Sequence, residues 1–188
     1  MEINQIIQIL KSGEVGVMPT DTIYGIVGSA LNPQTVQEIY QLRKRTPDKP
    51  MIILISSLND LTLFNILLSE KQKEFLQKNW PNPLSVILDC LDSRFEYLHR
   101  GTKTLAFRMP KRELLLEILN QTGPLVAPSA NFEGGKPAEN INQAKEYFGK
   151  KIAFYEDYGE IISQPSTLIK LNTNGLYEVL RQGNIILA

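Results

Sequence analysis

The stretch VGVMPTDTIYGIVGS (Val15–Ser29) decides how this chain is read. Val15 to Met18 is an apolar strand candidate, and Pro19 closes it because proline has no N–H for a ladder. A second strand candidate runs from Thr22 to about Ser29, where Gly25 permits close backbone approach. The junction carries Thr20, Asp21 and Thr22, two hydroxyls and a carboxylate at a strand end. Such a group can hold a small polar ligand but is a poor catalyst unaided.

Upstream, Ile3, Ile6, Ile7 and Leu10 have helical spacing, with Gly13 as a C′ residue. Downstream, Asn32-Pro33 reads as an N-cap and a proline at N1. The helix they open buries Val36, Ile39 and Tyr40 and is expected to end near Arg45. Met51–Ile55 is a short, wholly apolar strand of the doubly buried kind. Ser57 with Asp60, and Ser69 with Gln72, resemble helix starts, although only the second is a strict capping box. Two short helices are therefore expected within residues 58–79, before the turn Trp80-Pro81-Asn82-Pro83. Further strands are expected at Leu84–Asp89, Thr104–Arg108, Leu125–Ala127, Ile152–Tyr155, Thr167–Leu171 and Tyr177–Leu180. Helices are expected around Leu114–Leu119, stopped by Gly123-Pro124, and from an Asn140 cap to Gly149. This interleaving predicts a single α/β domain over residues 1–188, a twisted open mixed sheet with helices packed on it.

A chain of 188 residues, 43% hydrophobic and 21% charged, is ordinary for one globular domain and can bury roughly 70% of its unfolded surface. Twenty basic and twenty acidic residues cancel, which argues against a large nucleic-acid footprint but leaves room for a local basic pocket. The single Cys90 cannot form an internal disulfide, and its apolar surroundings mark a buried structural thiol. The N-terminus lacks a basic n-region, and no apolar run approaches the roughly 20 residues that span a bilayer. A cytoplasmic enzyme or binding protein is expected.

Two constellations carry chemistry. Arg43-Lys44-Arg45-Thr46-Pro47-Asp48-Lys49 places four cations and one anion at a helix end. It reads either as a solvated end complementing the helix dipole or as a polyphosphate clamp, its loop stiffened by Pro47 and Pro50. Ser129-Ala130-Asn131 lies between a strand and the turn Glu133-Gly134-Gly135, where α/β sheets bind ligands, although such a serine can also merely cap a turn. Thr104 and Arg108 share one strand face, and an arginine there requires a ligand or a buried carboxylate partner. Ser166-Thr167 and Arg181 make weaker claims. P-loop, dinucleotide-fold and hydrolase signatures are absent, and one histidine with one cysteine excludes zinc sites built from those ligands. His99, beside Arg100, reads as a surface residue rather than a general base, and Asp21 alone is a weak magnesium signal.

With these residues in hand, the chain resembles the YrdC/TsaC-type L-threonylcarbamoyladenylate synthases along nearly its whole length. PTDTIYGI, LRKRTPDKPM (Leu42–Met51), WPNPLSVIL (Trp80–Leu88), LAFRMP, APSAN, PSTLIKL and LRQG follow the family's order. Three positions depart from its pattern: Arg43 stands for the usual lysine, Thr46 for a proline and Glu133 for a serine. Longer family forms carry an extra C-terminal domain, for which this chain is expected to be too short.

The resemblance implies a nucleotidyltransferase that joins L-threonine, bicarbonate or CO2 and ATP into threonylcarbamoyl-AMP and pyrophosphate. It implies that Thr20, Arg108, Ala127 and Ser166 hold the threonine. Arg45, Lys49, Thr104, Ser129, Asn131 and Arg181 would surround ATP, with Arg43 and Arg45 as the catalytic cations. Mg2+ would ride on the triphosphate, and no metal site in the protein is implied. The product would pass to a tRNA threonylcarbamoyl transferase complex for modification of adenosine 37, with weak RNA binding and no membrane partner. The main alternative is a nucleotide- or RNA-binding module using the same basic cavity without chemistry. A carbamoyl-adenylate former fed by carbamoyl phosphate and a nucleotide-dependent regulator are more distant readings.

Overall fold

In the computed structural model, which describes residues 1–187, nine strands form one mixed sheet. They are β1 (Gly16–Pro19), β2 (Tyr24–Ser29), β3 (Ile52–Leu54), β4 (Leu84–Asp89), β5 (Thr104–Arg108), β6 (Leu125–Val126), β7 (Phe154–Tyr155), β8 (Thr167–Leu171) and β9 (Tyr177–Arg181). The order across the sheet is β7-β1-β2-β6-β3-β5-β4-β8-β9. The pairs β1–β7, β3–β5 and β4–β8 are parallel and the others antiparallel. Each expected strand is present, several trimmed by a residue or two. β2 starts at Tyr24 rather than Thr22 because the Thr20 hydroxyl takes over the local backbone. It donates to the Ile23 carbonyl (2.8 Å) and accepts from the Thr22 and Ile23 amides (3.2 and 3.3 Å).

The helices are α1 (Ile3–Lys11), α2 (Pro33–Leu42), α3 (Glu70–Asn79), α4 (Glu96–His99), α5 (Glu113–Thr122) and α6 (Ile141–Phe148). Leu58–Phe64 is a 3-10 helix, started by Asp60 accepting from the Ser56 and Ser57 amides. α1 and α5 pack on one face of the sheet, where Ile6, Ile7, Leu10, Leu115, Ile118 and Leu119 bury Met18, Val27, Leu54 and Leu125. The larger core lies on the opposite face, under α2, α3, α4 and α6. Cys90 is buried there, and burial raises its thiol pKa.

Two expectations need correction. α2 stops at Leu42, three residues short of Arg45, in a Schellman motif. Lys44 N–H reaches the Gln41 carbonyl and Arg45 N–H the Tyr40 carbonyl, with Lys44 left-handed at φ +50°. A lysine in that conformation costs ~1–2 kcal/mol relative to the right-handed form, so no glycine marks this stop in the sequence. His99 is not on the surface but 5% exposed, its Nδ1 accepting the Gly101 amide (3.1 Å). Phe95 and Leu98 draw its short helix into the core and carry the imidazole with them.

Phe107 is fully buried in β5, edge-on to Phe64 at 5.1 Å. Phe107→Ala should cost about 3–5 kcal/mol, measured as a lower urea midpoint with an unchanged slope.

Candidate active site

α1 and α5 cover only part of their face of the sheet. On the remainder, β5, β4 and β8 turn Thr104, Ala106, Arg108, Ile87 and Leu168 outward as the floor of a cavity of about 500 Å³. Their in-between neighbours Leu105, Phe107, Val86, Leu88 and Ile169 are buried in the core on the opposite face. The walls come from the β1–β2 turn (Thr20, Thr22, Ile23), the loop after α2 (Arg43, Arg45, Pro50, Met51) and the segment after β6 (Ala127, Pro128, Ser129). Pro165, Ser166 and Arg181 close the remaining side.

Four guanidiniums line this cavity: Arg43, Arg45, Arg108 and Arg181. No carboxylate, histidine, cysteine or lysine does so among the described residues. Arg43 is 3% exposed and has no carboxylate partner. Its Nε donates to the Ser129 and Asn131 carbonyls (2.8 and 3.2 Å), and its Nη2 to Ser129 Oγ and Asn131 Oδ1 (both 3.2 Å). Its Nη1 is buried without any partner. Burial, and then the charge of Arg45, lower its pKa to about 10, so it remains a cation at neutral pH. A buried donor left open on a buried cation is costly unless an anion completes it.

Arg108, equally buried, has the carboxylate partner its strand position required. Its Nη2 lies 3.2 Å from Asp21 Oδ1, while Asp21 Oδ2 accepts the Lys111 amide (3.1 Å). Burial lowers the Arg108 pKa, Asp21 counteracts this, and Arg181 adds to the lowering. Arg181 donates through Nε and Nη2 to the Ser166 carbonyl (3.3 and 2.9 Å), and Ser166 Oγ pairs with Ser85 Oγ at 2.8 Å. Gly183 makes this approach possible, since a Cβ there would lie 2.2 Å from the Pro165 carbonyl oxygen. Arg45 folds back on its own loop, donating to the Lys49 and Pro50 carbonyls (both 2.9 Å).

Of the residues expected at the site, Thr20, Arg43, Arg45, Thr104, Arg108, Ala127, Ser129, Ser166 and Arg181 line one cavity. Lys49 and Asn131 do not. The Lys49 ammonium points to Glu133 at 2.6 Å, and Asn131 stands behind Arg43, its Nδ2 bonded to the Phe132 and Gly135 carbonyls. Thr102 was not anticipated. It lines the cavity beside Thr104, whose hydroxyl donates to it at 3.2 Å; the left-handed Lys103 between them turns the two hydroxyls together, which strand alternation does not signal. The apolar floor residues Ile87, Ala106 and Leu168 carried no signal beyond strand alternation. Asp21 holds an arginine, and His99 stays outside the cavity. Among the described residues, no group of three or more His, Cys, Asp or Glu side chains could hold a metal ion.

The family model for Sua5, YciO and YrdC, described as "Telomere recombination", matches residues 8–183. The chain belongs to the Sua5/YciO/YrdC family. Within the family it is 35% identical to a Bacillus subtilis threonylcarbamoyl-AMP synthase, covering 98% of this chain and 54% of that one. A Vibrio campbellii protein of the same name is 25% identical over 95% of this chain and 97% of its own. The crystal structure of Pyrococcus abyssi Sua5 complexed with L-threonine superposes with a TM-score of 0.87 at 31% identity. That match covers 96% of this chain and 54% of the Sua5 chain, so this chain spans about half of the Bacillus and Pyrococcus relatives.

Beside the loop that carries Arg45, the Glu133 carboxylate is held by Thr46 and Lys49. Lys49, then the Thr46 hydroxyl and amide, lower its carboxyl from 4.5 to about 2. A depressed carboxyl contributes above its unfolded pKa, and its contribution is lost as pH falls through about 2. A carbon-13 NMR titration of Glu133 Cδ should find it still ionised at the ordinary glutamate value of ~4.3. A midpoint at that value would mean that the carboxylate does not hold these donors.

Proposed function

We propose that this chain makes L-threonylcarbamoyl-AMP from L-threonine, CO2 or bicarbonate, and ATP, releasing pyrophosphate. The observation that carries this reading is Arg43, a buried cation with an open donor in a carboxylate-free cavity lined by three further guanidiniums. Such a site suits a polyanion. At an effective dielectric of ~20, each guanidinium within about 4 Å of a phosphate charge contributes roughly 4 kcal/mol. Membership of the family, and the relatives named for this product, supply the substrate identities.

In this reading Thr20, Arg108, Ala127 and Ser166 hold the threonine, and Arg45, Thr104, Ser129 and Arg181 face the nucleotide. Lys49 and Asn131 support the nucleotide side from the rim and from behind Arg43. The neutral threonine amine attacks CO2, and loss of one proton leaves a carbamate. A carbamate oxygen then attacks the α-phosphorus, and the bond to pyrophosphate breaks. The carbamate is already an anionic nucleophile, so the step needs no histidine or cysteine. What the protein supplies is alignment and positive charge for an anionic transition state. Without a carboxylate in the lining, Mg2+ would travel with the triphosphate rather than be held by the cavity. The product would be used by a tRNA-modifying transferase acting on adenosine 37.

Purified chain given ATP, magnesium and bicarbonate should release pyrophosphate only when L-threonine is added, with the mass of threonylcarbamoyl-AMP appearing. Nucleotide binding without release would instead favour a binding module. Arg45→Ala should keep the fold and lower kcat/KM at least tenfold, because Arg45 is partly exposed yet lines the cavity. Near wild-type turnover in that variant would remove Arg45 from the clamp.

A further inference from the structure

The loop after α2 and the segment 129–133 are joined residue by residue. Arg43 holds Ser129 and Asn131, the Lys44 ammonium sits 4.1 Å from the centre of the Phe132 ring, and Glu133 N–H donates to the Arg43 carbonyl (2.9 Å). Glu133 makes the outermost join. Its carboxylate accepts from the Thr46 amide, the Thr46 hydroxyl (2.7 Å) and Lys49 Nζ (2.6 Å). Thr46 thus meets Glu133 through both its amide and its hydroxyl. The chain of contacts continues inward, since the Lys49 and Pro50 carbonyls are the acceptors on which Arg45 is folded.

We propose that Glu133 is a positioning residue for the nucleotide half of the cavity, clasping Thr46 and Lys49 so that Arg45 is presented in a fixed place. This rests on the ATP-dependent reading above. The opposing effect is repulsion between the Glu133 carboxylate and an incoming triphosphate. Lys49, at 2.6 Å, already neutralises that charge, whereas three donors depend on the carboxylate for their place. The clasp therefore outweighs the repulsion.

Two substitutions separate these effects. Glu133→Gln removes the charge but keeps an oxygen that accepts from Thr46, whereas Glu133→Ala removes both. ATP binding is titrated without threonine, so that no chemistry intervenes, and KM is measured for each substrate. Glu133→Ala should weaken ATP binding about five- to twentyfold and leave the KM for threonine within about twofold. Glu133→Gln should stay within about threefold of wild type. Hydrogen exchange at the Thr46 amide should accelerate in Glu133→Ala before any nucleotide is added. Unchanged or tighter ATP binding in Glu133→Ala overturns the proposal, as does an equal rise in both KM values. Equal weakening by the two substitutions assigns the effect to charge and also overturns it. Failure of the wild-type chain to bind ATP overturns the ATP-dependent reading itself, and this proposal with it.

Discussion

The hydrogen bonds of the buried Arg43 guanidinium are the constraint on which the rest of the site depends. Its side chain leaves the C-terminal end of α2 and inserts among the carbonyls and side chains of Ser129 and Asn131. A planar fork can satisfy carbonyl, hydroxyl and amide acceptors together and still leave one nitrogen unused. A lysine ammonium on a flexible stem offers no such fixed fan of donors. Because the acceptors are neutral, the positive charge is spread over dipoles and not cancelled. The cavity is therefore electropositive before any ligand arrives.

The two halves of the cavity are charged differently. Arg108 is matched by Asp21, and that pair approaches neutrality, while Arg43 and Arg45 face no carboxylate inside the cavity. In the proposed reaction this asymmetry has a physical use. A zwitterionic amino acid is best held where a cation is already tempered, and a triphosphate where charge is left over. The hydroxyls of Thr20, Thr22, Thr102, Thr104, Ser129 and Ser166 bridge the two regions without adding charge.

Much of this was legible in the amino-acid sequence. The strands were readable because their apolar runs are short and bounded by turn residues, and Arg108 announced its need for a partner by lying in an apolar strand. That the partner is Asp21 was not readable, since the ion pair forms only when the β1–β2 turn meets the end of β5. The end of α2 was misplaced because a lysine occupies the left-handed position where glycine is the usual sign. His99 was misjudged because the adjacent Arg100 was given more weight than Phe95 and Leu98, which pull the helix inward. The basic run suggested a solvated end or a clamp. Its residues divide between cavity and outer wall, with Arg43 and Arg45 facing in and Lys44 lying on Phe132.

The floor of the cavity, made of Ile87, Ala106 and Leu168 with Ile52 beside them, is ordinary sheet surface of the kind a helix normally covers. α1 and α5 end the layer early, and among the described residues no helix replaces them above β5, β4 and β8. A bound substrate would then serve as the absent element of that layer, shielding apolar strand surface from water while its charged ends meet the arginines. Occupancy and folding become linked quantities, and the protein is most stable when it is engaged in its own chemistry.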